Sequence, residues 1–140
     1  MNSEQKSHKP QLYYIELKSG YADNGPAWIG RVEFSKSGKS LYFNGRAFYG
    51  KGHGSCMDME TRDIYWISGI KKNGEDRHWA ENGKIMIDKE VVEEYMKFRE
   101  LEELDKKKYE IVTIEKTDKT KFHLLKNKNS KINSLVDKTC

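Results

Sequence analysis

Apolar and polar residues alternate in short runs through the first two-thirds of the chain, and the breaks between runs fall at Gly, Asn, Ser and Pro. A two-residue period is the mark of a half-buried strand, so strands are expected near residues 12–18, 27–35, 40–43, 46–49, 56–59, 64–70 and 84–87. In the second run Trp28, Gly30, Val32 and Phe34 alternate with Ile29, Arg31 and Glu33, which predicts that the first set faces the core. Residues 64–70 are richest in β-branched and aromatic side chains. Ile64, Trp66 and Ser68 share one face of that run, and Tyr65, Ile67 and Gly69 the other. Large apolar groups on both faces predict a strand covered on both sides. The segment Lys71-Lys72-Asn73-Gly74 follows. Asn-Gly accepts the positive φ angles of a type I′ turn, so a hairpin is expected, with residues 75–80 as the return strand. Its faces would be Asp76, His78 and Ala80 against Arg77 and Trp79. Asn44-Gly45 is a second turn of this kind, residues 19–26 form a long turn, and the glycine-dense residues 50–55 form a loop.

At Asp88 the period changes. Asp88 is a natural N-cap, Glu90, Glu93 and Glu94 complement the helix dipole, and Val91, Val92, Tyr95 and Phe98 make one helical stripe, predicting a helix over residues 88–105. The fold class expected is mainly β (α+β): a small antiparallel β-barrel or curled sheet, with one C-terminal helix against its open side. Residues 1–10 read as a flexible arm, 11–105 as the barrel-like domain, and 106–140 as a basic, partly disordered extension. Within the extension, 109–115 has strand character, with 121–125 as its expected partner.

Composition narrows the classes further. Charged residues make up 34% of the 140 and mean hydropathy is −0.92. No apolar run approaches the ~20 residues of a membrane helix, and the first ten residues lack a signal-peptide core. Cys56 and Cys140 do not make a disulfide framework, so a reducing cytoplasm is the expected setting. The overall charge is +4, but residues 106–140 hold ten lysines against four acids, leaving −2 for the rest. The basic balance therefore belongs to the extension.

Five blocks in order carry a resemblance: Leu17-Lys18-Ser19-Gly20-Tyr21-Ala22-Asp23-Asn24-Gly25-Pro26-Ala27-Trp28-Ile29-Gly30, Leu41-Tyr42-Phe43-Asn44-Gly45, Asp58-Met59-Glu60-Thr61, Tyr65-Trp66-Ile67-Ser68-Gly69 and Asp76-Arg77-His78-Trp79. Over residues 12–95 the chain resembles a family of small bacterial proteins with no established activity. Some members carry the name of a deoxyxylulose-phosphate synthase, which implies large thiamine-diphosphate domains that a chain of this length cannot hold. The extension after residue 105 lies beyond the resemblance.

Several constellations could carry chemistry. His53, Cys56 and His78 match no zinc spacing, so no metal or other cofactor is expected. The glycine-dense loop lacks the lysine-serine ending of a phosphate-binding P-loop. Asp58, Glu60 and Asp63 cluster; with His78, Asp58 and Glu60 would suit a small hydrolase, or the cluster is a turn of solvated charges. The broadest constellation is basic and aromatic: Lys18, Tyr21, Arg46, Lys71, Lys72, Arg77, His78 and Trp79. Aromatic faces stack on bases and cations neutralise phosphate. The leading expectation is a non-enzymatic module that binds an anionic ligand, nucleic acid or a nucleotide, through residues 71–79. A protein–protein interaction module, regulator or inhibitor, using the same edge is the alternative, and the hydrolase is third. No membrane partner is expected.

Overall fold

The computed structural model describes residues 11–21, 25–77 and 83–125. Six antiparallel strands close into a barrel: β1 (Gln11–Leu17), β2 (Ala27–Phe34), β3 (Ser40–Phe43), β4 (Arg46–Tyr49), β5 (Gly54–Asp58) and β6 (Ile64–Gly69). The sheet runs β1-β6-β5-β4-β3-β2, and β1 pairs with β2 to shut it. Two parallel strands, β7 (Ile85–Asp88) and β8 (Tyr109–Val112), extend the sheet from the first half of β2. The expected barrel is present, enlarged by a parallel flap. Among the described residues no helix is long and apolar enough to cross a membrane.

The barrel interior is filled by Ile15, Val32, Leu41, Phe43, Phe48, Cys56, Tyr65 and Ile67. Gly30 lets Phe43 lie across β2: a Cβ there would meet the Phe43 ring at 2.6 Å. The β3–β4 turn has the expected form, with Asn44 and Gly45 both at positive φ. A second core forms outside the barrel, where Leu12, Tyr14, Ala27 and Ile29 of β1 and β2 meet Ile85, Ile87, Val91, Tyr95 and Tyr109. The first half of β2 is therefore covered on both faces. Phe34, expected inside, sits at the barrel rim, partly exposed and edge-on to Tyr13.

Asp88 caps the helical stretch as expected, its Oδ1 accepting from Glu90 N–H at 3.0 Å. A 3-10 turn (Lys89–Val91) leads into α1 (Val92–Arg99), which stops well short of residue 105. Glu100 takes a left-handed conformation, and Leu101 N–H returns to the Met96 carbonyl, closing the helix end. Because the helix is short, Val91 and Tyr95 carry its contact with the second core, and Phe98 stays partly exposed. Residues 119–125 are helical, not the strand partner of β8. Phe122 anchors them on Ala47 and Met59 against the outside of the barrel. The disorder expected for the chain ends concerns residues 1–10 and 126–140, outside the described residues.

Candidate interaction surface

Strand β6 lies between β1 and β5, hydrogen-bonded to both. Its alternation turns Tyr65 and Ile67 into the barrel and leaves Ile64, Trp66 and Ser68 outside. The outer face is not covered, contrary to the two-sided burial expected from the apolar pattern: Trp66 is 41% exposed and Ile64 nearly as much. Trp66 Nε1–H donates to Ser68 Oγ at 3.0 Å, which satisfies the indole and holds the ring along the strand. In register, Trp66 stands between Glu16 on β1 and Ser55 on β5, and Ser68 stands opposite Tyr14. Ile64 is fixed through its backbone, its carbonyl accepting from Lys18 and Ser19 and its N–H donating to Ser19 Oγ. The exposed Tyr21 follows in the same turn, tied back by its N–H to the Lys18 carbonyl. Trp66, Ile64 and Ser55 thus form a continuous outer wall, bordered by Lys18 and Tyr21.

Beneath the wall lies a buried charge that the sequence pattern does not advertise. Glu16 is 2% exposed. Its Oε1 accepts from Tyr14 Oη–H at 2.5 Å and its Oε2 from Lys18 Nζ at 3.0 Å, and Arg77 Nη1 lies 4.0 Å from Oε2. The Arg77 side chain, 7% exposed, also donates from Nη2 to the Gly25 carbonyl at 2.8 Å. The only sequence signal is alternation: Tyr14 and Glu16 share one face of β1, and Lys18 follows in the same phase just past its end.

The segment after β6 departs from the expected hairpin. Lys71–Gly74 do turn, with Gly74 N–H donating to the Lys71 carbonyl and Gly74 at φ +79°. Residues 75–77 are not a return strand. The reason is topological: both edges of β6 are already taken by β1 and β5, so a returning strand has nothing to pair with. The turn instead packs on the end of α1, so closely that a Cβ at Gly74 would fall 2.3 Å from the Arg99 guanidinium. Arg99 Nη1 donates to Tyr95 Oη at 2.8 Å and Tyr109 Oη at 3.1 Å. Burial pushes the Tyr95 hydroxyl well above the usual tyrosine range. Asp76 Oδ1 accepts from Lys71 N–H at 2.7 Å, while burial raises its carboxyl above the ordinary value.

The basic and aromatic set is therefore dispersed. Lys18 and Arg77 converge on Glu16, and Tyr21 borders the same wall. Lys71 and Lys72 are exposed on the turn, with Lys72 Nζ 3.6 Å from Glu100. Arg46 is elsewhere, on β4, donating to Asp58 Oδ2 at 2.8 Å. His78 and Trp79 lie outside the described residues. Of the hydrolase constellation, the described members Asp58 and Glu60 are engaged in the fold. Asp58 is fully buried and its Oδ1 accepts from Glu60 and Thr61 N–H, so it organises the β5–β6 turn. Glu60 pairs with Lys121 on the surface. Among the described residues no group of three or more His, Cys, Asp or Glu gathers to hold a metal. Comparison with family models, curated proteins and solved structures finds no match for this chain.

Proposed function

We propose that this protein is a non-enzymatic interaction module that recognises another protein through the outer wall of β1, β6 and β5, with Trp66 as the anchor. The observation that supports it is the placement of Trp66. A large aromatic side chain is held outward, with its N–H satisfied, on a strand paired along both edges. Its position costs little entropy on binding, and tryptophan and tyrosine are the residues that most often dominate protein interfaces. Charge on this wall favours a protein over a polyanion. Lys18 and Arg77 share Glu16, and the cations away from the wall, Arg46 and Lys72, have their own carboxylates. A near-neutral patch with exposed Trp66, Ile64 and Tyr21 resembles the centre of a protein interface, where charge is depleted.

The anionic-ligand reading, the leading expectation from the sequence, becomes the second reading at the same wall, supported by Lys18 and Tyr21 on its border and by the exposed Lys71. Photo-crosslinking groups at positions 55 and 68, in cells producing the protein, separate the two. One common protein adduct from both positions, lost in Trp66→Ala, is the expected result. Its capture should persist as salt rises, and Trp66→Ala should weaken binding by at least about tenfold. If no protein is captured and a thymidine oligonucleotide instead binds with an affinity that falls steeply with salt, the order of the two readings reverses.

A further inference from the structure

We infer that the free edge of β8 is a second interface, and that its occupant is another copy of this chain. Among the described residues β8 is the terminal strand of the sheet: it pairs with β7 on one side and with no strand on the other. Ile85 N–H donates to the Lys108 carbonyl, which fixes the alternation along the strand. Peptide groups of Lys108 and Glu110 turn toward β7, and those of Ile111 turn toward the open edge. Ile111 is also 52% exposed. It lines, with Val92, Met96 and Leu104, the apolar part of an open depression between α1 and β8 whose rim carries the charged residues 102–103 and 105–107. Unpaired edge groups next to exposed apolar surface are a template for another strand.

The charges select the partner. Residues 106–108, just before the strand, are Lys-Lys-Lys, and the first charged residue after it is Glu115. An antiparallel second copy of β8, related by a twofold axis at Ile111, sets Lys107 of each chain opposite Glu115 of the other, with Lys106 and Lys116 the like-charged pair beyond it. A parallel copy would set like against like. With the axis at Ile111, that residue exchanges both backbone hydrogen bonds with its mate, and the two side chains close over the paired depressions. Twofold, self-complementary contacts of this kind are the commonest way a chain assembles with itself.

Sedimentation of the full chain from about 1 to about 200 µM tests this, together with amide hydrogen exchange at both extremes. The expected result is a monomer–dimer equilibrium, with the Ile111 amide protected only at high concentration. Ile111→Lys places a charge on the edge at an exposed position that the monomer does not need, and should raise the dissociation constant at least about tenfold. A native chain that stays monomeric throughout overturns the inference. So does a dimer indifferent to Ile111→Lys, and so does a monomer whose Ile111 amide is already protected, because another segment would then fill the edge.

Discussion

Phe48→Ala is expected to destabilise the protein by about 4 kcal/mol, the upper part of the range for deleting a buried phenylalanine. Phe48 is fully buried on β4, opposite Leu41 in the register, and its ring meets Tyr65 of β6 edge to face at 4.9 Å between centroids. It therefore ties β4 to β6 across the intervening β5, inside the barrel. A closed barrel is tied by hydrogen bonds around its whole circumference, so the walls cannot move in to fill the space the ring leaves. Most of the cavity cost should remain, and urea-induced unfolding should show a midpoint shifted far down with an unchanged denaturant slope. A loss under ~1 kcal/mol would mean that the barrel interior is not packed around this ring.

Glu16→Ala is expected to cost about 3 kcal/mol for a different reason. The side chain removed is small in apolar area, but it is a counter-charge for Lys18 at 3.0 Å and for Arg77 at 4.0 Å, the Arg77 guanidinium being itself buried, and it accepts the Tyr14 hydroxyl. Breaking one side of a buried ion pair strands the other charge away from water, and that penalty exceeds what the pair contributes when intact. The double variant Glu16→Leu with Arg77→Met should therefore recover much of the loss, since it removes both charges and keeps the volume. Urea unfolding of the two variants decides it. If the double variant is no more stable than Glu16→Ala, the stranded charge is not the cause.

How far the pattern of residues carries is clearest where identical signals gave different outcomes. Asn44-Gly45 and Asn73-Gly74 are the same dipeptide. The first closes a hairpin because β3 has an edge to offer β4. The second only turns the chain, because β6 has none left. Edge occupancy depends on the order of strands around the barrel, which is decided by residues far apart in sequence. The same limit applies to Trp66. Period-two counting correctly groups Ile64, Trp66 and Ser68 on one face, but both faces of β6 carry comparable apolar groups, so local pattern does not say which is inside. Closure of β1 against β2 decides that. The buried Glu16 was hidden for a related reason, since a carboxylate between a tyrosine and a lysine looks like an ordinary solvent face until Tyr14, Lys18 and the segment at Arg77 close on it. By contrast the positions of β1 to β4, β6 and β7, the N-cap at Asp88 and the β-barrel class rest on local periodicity and turn chemistry, and these were legible from the outset, whereas β5 begins at Gly54, inside the segment expected to be a loop.

The outward display of Trp66 on the β1–β6–β5 wall is best tested by fluorine NMR of the 5-fluorotryptophan-labelled protein, with the Trp66 signal assigned as the one missing from Trp66→Phe. A soluble nitroxide should broaden that signal strongly while sparing that of Trp28, which packs against the barrel interior. A Trp66 signal as protected as that of Trp28 would place the indole inside, and the wall would have no anchor.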